Sequence, residues 1–379
     1  MTAEVLRGRL VLDEGVVPGR VVLDEGWIRS VEPDPDDRAA ASGPTYVPGF
    51  IDVHVHGWGG HDATGDAEAL SGMARALLRH GVTSFLPTAP TIPTDELPGF
   101  ARRVRSWTPV APDDGAQPLG FNLEGPFLAP ARRGAHAQAL LRDPASVDRG
   151  FLEPLLDGLR IVTVAPELPG ALELIARLAA EGVAASLGHS QATVDEARAG
   201  YAAGARSTTH LFNAMTGVDH RAPGLAVAAL LEDAAYVELI ADGNHVHPAL
   251  WPLVARTKPA ERLVLISDAL PMAGSGSGSG RIGELDVEVR DGRAVLAGTD
   301  TLAGSIIALD TAVRNVARAE GVVAAVLAAS ANPAALLGAD DRGRLLPGRR
   351  AHIVELDDRL QVRRVTRGAG WIDGEASAG

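Results

Sequence analysis

Two histidines one residue apart, His54 and His56 in FIDVHVHG, present both imidazoles to one face if that segment is extended. Two nitrogen ligands can then meet one ion. Four further ligand-type residues follow at wide spacing: Glu124 in NLEGPF, His189 in GHS, His210 in THLFNAM and Asp268 in ISDA. Each alone has an ordinary role open to it, as a cap, an ion-pair partner or a strand-end histidine. As a set they are the donors of a metal site made from imidazole and carboxylate. Such donors suit zinc first, with iron, cobalt or manganese also admitted, whereas calcium and magnesium prefer all-oxygen shells. A metal held there would lower the pKa of a bound water to roughly 7 and polarise a carbonyl oxygen. Asp268 is the best general base for that water, and the same residue can also ligate the ion.

Composition closes other routes. The chain has no cysteine, which excludes disulfides, thiolate nucleophiles, iron–sulfur clusters and cysteine zinc sites. A net charge of −13 argues against nucleic acid as a partner, because phosphate-backbone binding relies on clustered positive charge. Lys258 is the only lysine. No apolar run approaches the roughly 20 residues of a membrane span, and the first residues lack a basic stretch followed by an apolar one. No membrane association and a cytoplasmic location are the expectations.

Elements that could gather the six residues are legible in the periodicity. Eight candidate strands run in order over 51–55, 84–87, 119–123, 161–165, 184–187, 207–210, 237–241 and 263–267. Helical spacing of apolar residues joins several of them, as in 67–79, 172–181 and 194–203. This alternation predicts a (β/α)8 TIM-like barrel, in which catalytic groups collect at the carboxyl ends of the strands. His54 and His56 end the first strand, Glu124 the third, His189 the fifth, His210 the sixth, Asp242 and His245 the seventh and Asp268 the eighth.

Before the barrel, Val5 to Val31 reads as short strands turning at Gly8, Gly15, Gly19 and Gly26. After it, AGSGSGSG over 273–280 should be a mobile loop, a surface connection or a lid. A hairpin over 284–297 follows, turning at Asp291 and Gly292, then helices over 306–319 and 322–329. Strand-like alternation returns over 343–365. The expected division is a small β-sandwich domain from 1–46 and 339–379, with the hydrolase barrel over 47–338.

At these residues the chain resembles the N-acetylglucosamine-6-phosphate deacetylases of the amidohydrolase superfamily, over nearly its whole length. The likeness rests on PGFIDVHVHG, NLEGPF, GAH, GHSQATVDEA, THLFNAM, RAPG, ADGNH, ISDA, LAGS and GRLLPGRRAHIVELD. Many superfamily members bridge two metals with a carboxylated lysine after strand four. Lys258 precedes strand eight and cannot serve, so the resemblance assigns that place to Glu124. It implies that Glu124, His189 and His210 hold the main ion and that His54, His56 and Asp268 could hold a second, giving one or two divalent metals per subunit.

The resemblance also implies substrate contacts. Ala135 and His136 meet the sugar and its acetamide, with His136 polarising the carbonyl; Asn213, Ala214 and Arg221 receive the phosphate. Asp242, Gly243, Asn244 and His245 match the loop after strand seven, and Leu302, Ala303 and Gly304 the last substrate segment. Positions matching Arg221 and His245 reach a neighbouring subunit's site in the family, which implies a homodimer. Ala137 stands where relatives commonly have Asn, and His352 departs from the closing motif. His61, His80, His220 and His247 are expected to be structural or exposed. The implied reaction is deacetylation of an amino-sugar 6-phosphate, N-acetyl-D-glucosamine 6-phosphate first. The alternatives are N-acetylgalactosamine 6-phosphate, an unphosphorylated acylated amine, or a sugar-phosphate sensor without catalysis.

Overall fold

The computed structural model of the chain describes residues 3–368 and 370–375. Eight parallel strands pair in sequence order: Phe50–Val55, Val82–Ala89, Phe121–Leu123, Leu159–Val164, Ala184–Leu187, Ser207–Thr208, Tyr236–Ile240 and Leu263–Ile266. Backbone and side-chain bonds tie the last segment to the first: Asp268 N donates to His54 O at 2.9 Å, and Ser267 Oγ to Asp52 at 2.5 Å. The barrel is thus nearly closed, as the alternation predicts.

Two of the helices behind strands are fixed by local caps. Asp66 caps Ala67–Arg79 by accepting from Glu68 N and Ala69 N, and Leu70, Met73, Ala74, Leu77 and Leu78 form its buried stripe. Burial of each leucine there contributes about 1.5–3 kcal/mol. Val194–Ala202 starts with a reciprocal cap, Thr193 to Glu196 N and Glu196 back to Thr193 N. Only a short turn therefore separates the fifth strand from its helix, and His189 occupies that turn.

Inside the barrel, Ile51 and Val53 meet Ile161, Ala184, Tyr236 and Ile266 in one apolar cluster, closed off by Leu336 and Leu337. The helix Ala331–Leu337 that supplies this plug lies beyond the two predicted C-terminal helices. The next residues along the strands are polar and buried: Asn122, Thr163, Ser186, Thr209 and Glu238 are at most 1% exposed. Their hydrogen bonds run between strands, Thr163 to Thr209 at 3.0 Å and Thr209 to Ser186 at 2.7 Å, which fixes the barrel just beneath the site.

Both chain ends build a seven-stranded sheet, in the order Trp371–Asp373, Val362–Arg367, His352–Leu356, Thr45–Pro48, Glu4–Leu12, Gly15–Asp24, Trp27–Pro33. Gly8 and Gly19 are not turns, contrary to expectation. They face one another in the first two strands, and a Cβ at Gly8 would strike the Pro44 carbonyl. Residues 343–349 are bends, a turn and irregular backbone rather than strand, and Arg350 makes only an isolated bridge with Trp27, although Leu345 joins the core of this sheet.

The glycine-serine run also departs from a plain loop. Its end enters the strand Ser279–Ile282, which pairs with Leu285–Arg290 of the predicted hairpin. A Cβ at Gly274 would lie 2.7 Å from the Trp58 ring, so the run packs closely at that point. No described helix is long and apolar enough to cross a membrane.

Candidate active site

Glu124 follows the short third strand directly, with its N–H bound to Ala89 O of the second at 2.8 Å. The carboxylate stands between two groups of rings. Oε1 is 2.9 Å from His189 Nε2 and 2.9 Å from His210 Nε2, and those two nitrogens are 3.0 Å apart. Oε2 is 3.0 Å from His56 Nε2, 3.2 Å from His136 Nε2 and 3.6 Å from His54 Nε2. Asp268 Oδ1 faces the same pair, 3.2 Å from His56 Nε2 and 3.6 Å from His54 Nε2.

The far side of three of the rings sets the proton. His189 Nδ1 donates to Arg132 O at 2.8 Å and His56 Nδ1 to Thr88 O at 3.1 Å, since a carbonyl only accepts. His54 Nδ1 faces the Glu238 carboxylate at 3.2 Å. In their neutral forms these three rings therefore aim Nε2 lone pairs at the site. His54 Nε2 and His56 Nε2 are buried and make no hydrogen bond among the described residues. Lone pairs facing carboxylate oxygens at such distances repel unless positive charge lies between them.

Electrostatics lead to the same conclusion. Burial works against protonating His54 and His56, yet Glu124 and Asp268 overcome it, raising His54 well above its ordinary value and His56 to about 9. Glu124 is held well below the usual carboxylate range despite burial, chiefly by His136 and His54, and Asp268 is lowered by His54 and His56. His189 goes the other way, to about 4, because burial dominates. The donor set fits a divalent cation, which supplies the positive charge these groups are arranged to receive.

Ligand atoms of His54, His56 and Asp268 lie within 4.8 Å of one another, as do those of Glu124, His136 and His189. His136 differs from the others in its proton. Thr91 N–H donates to its Nδ1 at 3.1 Å, so the neutral ring carries hydrogen on Nε2 and points a donor, not a lone pair, into the site. His189, His210 and Asp268 all have left-handed backbones, with φ of 47°, 28° and 49°. Such conformations cost about 1–3 kcal/mol each and are retained where the surroundings over-determine them.

The Amidohydrolase family model matches residues 45–372. The chain is 41% identical over 358 residues to the N-acetylglucosamine-6-phosphate deacetylase of Bos taurus, covering 90% of this chain and 85% of the relative. The chain belongs to the amidohydrolase family, among its N-acetylglucosamine-6-phosphate deacetylases. A second relative is the N-acetylgalactosamine-6-phosphate deacetylase of Escherichia coli O157:H7, 38% identical over 93% of this chain and 92% of its own. Among solved structures, the Thermotoga maritima N-acetylglucosamine-6-phosphate deacetylase superposes with TM-score 0.90 at 31% identity, covering 98% of this chain and 100% of that one. A mutant of the Mycobacterium smegmatis deacetylase, in complex with N-acetyl-D-glucosamine-6-phosphate, gives TM-score 0.88 at 36% identity, over 98% and 99%.

The cavity of this deacetylase above the metal-type donors measures about 410 Å³, within the range of small-molecule sites. Ala135, His136, Asn213, Ala214, His245, Leu302, Ala303 and Gly304 line it with His56, Glu124, His189, His210 and Asp268. His54 lies beneath the floor, fully buried. Asp242, Gly243 and Asn244 do not line it. Asp242 acts on the loop instead, accepting from Asn244 N, His245 N and His245 Nδ1, the last at 2.7 Å. Arg221 is exposed and outside this chain's own cavity.

Sequence reading missed four contributors. Thr91 and Glu238 orient His136 and His54 from behind, and the only sequence signal was a charged residue inside the apolar run YVELIA for Glu238. Arg132 is the one guanidinium-bearing residue lining the cavity among the described residues, and ARRGAH did show the basic pair beside His136. Ile282 reaches the cavity from the strand hidden at the end of the glycine-serine run.

Proposed function

We propose that the chain hydrolyses the acetamide of N-acetyl-D-glucosamine 6-phosphate to D-glucosamine 6-phosphate and acetate. The observation that carries this reading is Glu124, whose two oxygens face separate ring sets beside a hydrogen-bond donor, His136 Nε2, and a second carboxylate, Asp268, facing His56. Glu124, His189 and His210 would hold one divalent cation, zinc in this reading, and His54, His56 and Asp268 a second. The cation supplies Lewis acidity toward water and the acetamide carbonyl.

The chain's own groups carry the proton and the charge. Asp268 accepts the proton of the attacking water at a carboxylate oxygen and returns it to the leaving nitrogen. His136 Nε2–H donates to the carbonyl oxygen as negative charge gathers there. Burial of the floor excludes bulk water and strengthens both interactions. Ala135 and the 302–304 segment flank the sugar, and Asn213 and Ala214 hold the phosphate through their turn. His245, which lines the cavity of its own chain and not a neighbour's, stands beside them, and Arg221 completes the phosphate site across a homodimer. The same reading places the enzyme in the cytoplasm and divides it into a β domain of 1–46 with 339–379 and a barrel of 47–338.

A second reading, N-acetylgalactosamine 6-phosphate as substrate, is favoured by the Escherichia coli relative, which aligns over more of the chain than the bovine one does. Acetate release from both phosphorylated sugars and their unphosphorylated forms tests the two. Comparable kcat/KM for phosphorylated and unphosphorylated sugars would remove the phosphate from the reading, and a preference for the galactosamine form would exchange the substrate.

A further inference from the structure

Glu238 lies in the strand Tyr236–Ile240 and is fully buried. One oxygen, Oε2, accepts from His54 Nδ1 at 3.2 Å and from the backbone N–H of His210 at 3.3 Å. The other, Oε1, makes no hydrogen bond among the described residues. His54 is the one side chain it pairs with among the described residues, at the same 3.2 Å. A buried carboxylate with so little compensation is costly, and a polar amide or an apolar side chain would be tolerated if packing were its sole task.

The four rings that aim a lone pair or an open nitrogen at Glu124 and Asp268, His136 apart, are not oriented alike. His56 and His189 are held by backbone carbonyls, which no side-chain change can remove, and His210 Nδ1 has no hydrogen-bond partner among the described residues. Only His54 depends on a side chain for its proton and its angle. We infer that Glu238 is a positioning residue for His54, fixing its Nδ1–H tautomer so that Nε2 is presented as a ligand. The number of ions this chain holds thereby depends on a residue that touches none of them. This rests on the reading above that His54, His56 and Asp268 form the second site.

A carboxylate behind a ligating histidine raises its basicity and restricts its rotation, and loss of such a partner weakens metal binding by roughly 10–100-fold. The contact of Glu238 with His210 is to the backbone and leaves that ring's lone pair untouched. The site of Glu124, His189 and His210 should therefore keep its affinity when Glu238 is changed.

The test is metal binding by full-length protein, stripped and titrated with Zn²⁺ or Co²⁺, for the wild type, Glu238→Leu and Glu238→Gln. Far-UV circular dichroism and a melting curve check folding. The wild type is expected to bind two equivalents. Glu238→Leu should keep the first at wild-type affinity and bind the second roughly 100-fold more weakly, whereas Glu238→Gln, whose amide oxygen still accepts from Nδ1–H, should lose only about 10-fold. If the leucine variant does not fold, selective weakening of the second equivalent in the glutamine variant supports the inference. Unchanged affinities in the folded variants, or equal weakening of both equivalents, overturn it. A wild type that binds one equivalent instead refutes the two-ion reading itself.

Discussion

Thr91 N–H donates to His136 Nδ1 across 3.1 Å, and this contact separates His136 from the four other rings of the site. Its Nε2 carries the proton, so it serves as a donor to a carbonyl oxygen and not as a ligand. His136→Ala is expected to leave metal content unchanged while lowering kcat by about 10²–10³-fold, the usual effect of removing one donor from a developing oxyanion. Elemental analysis beside steady-state kinetics checks it. Loss of an equivalent of metal in this variant would make His136 a ligand after all.

Asp268 stands on a left-handed backbone turn pinned by its own N–H to His54 O at 2.9 Å, so its position does not depend on its charge. Asp268→Asn keeps the shape and removes the base. Turnover should fall by at least 10²–10⁴-fold, the range ascribed to general acid–base catalysis. Calorimetry with N-acetyl-D-glucosamine 6-phosphate should still detect substrate binding. A variant with near-normal kcat would assign the proton transfer to another group.

Glu124 touches rings on both sides, Oε1 toward His189 and His210 and Oε2 toward His56. Replacing it by Ala should weaken both equivalents of metal together. Replacing His54 by Gln and His56 by Asn should remove one equivalent and leave the other. If Glu124→Ala loses only one ion, the carboxylate belongs to a single site and does not bridge.

The barrel and the strand-end residues were legible because both depend on patterns confined to a few residues: short apolar runs buried on both faces, helical stripes and the HxH spacing. Helices 67–79 and 322–329 coincide with their predicted limits, since Asp66 and Gly321 mark their starts locally. What escaped depends on distant partners. Gly8 and Gly19 look like turns until the strands holding them are paired, and Ser279–Ile282 becomes a strand only beside Leu285–Arg290. Thr91, in the bend after the second strand, and Glu238, in the seventh, act on His136 and His54 across separations of 45 and 184 residues that no local motif records.

Lys258, far from this chemistry in role, gives a pH test of the fold. Its amine is buried against the carbonyls of Ala229 and Glu232, and burial lowers its pKa from 10.5 to about 8. Between these values the unfolded chain binds more protons than the folded one, so this group's contribution to stability rises with pH from about 8 and levels above 10.5. Below about 8 the full penalty of the buried charge is present. Lys258→Met removes the titration, so the wild type should gain in melting temperature relative to this variant between pH 7.5 and 10. A constant difference over that interval would mean the amine is solvated in the folded protein.

Arg221 is exposed and does not line the cavity of its own chain, while Asn213, Ala214 and His245 do. If it binds phosphate, it does so in a partner's cavity, which mixed dimers can reveal. Arg221→Ala should raise KM for the phosphorylated sugar far more than for the unphosphorylated one. Asp268→Asn should be inactive. In a dimer of one subunit of each kind, the Arg221→Ala chain keeps its own Asp268 and receives an intact arginine from its partner. Mixing after dissociation should then restore roughly a quarter of the wild-type rate per subunit at low substrate, from random pairing in a two-fold dimer. If mixing gives only the average of the two variants, Arg221 acts within its own subunit or not at all. The cavity's own guanidinium-bearing residue, Arg132, then becomes the group to replace in the same KM comparison.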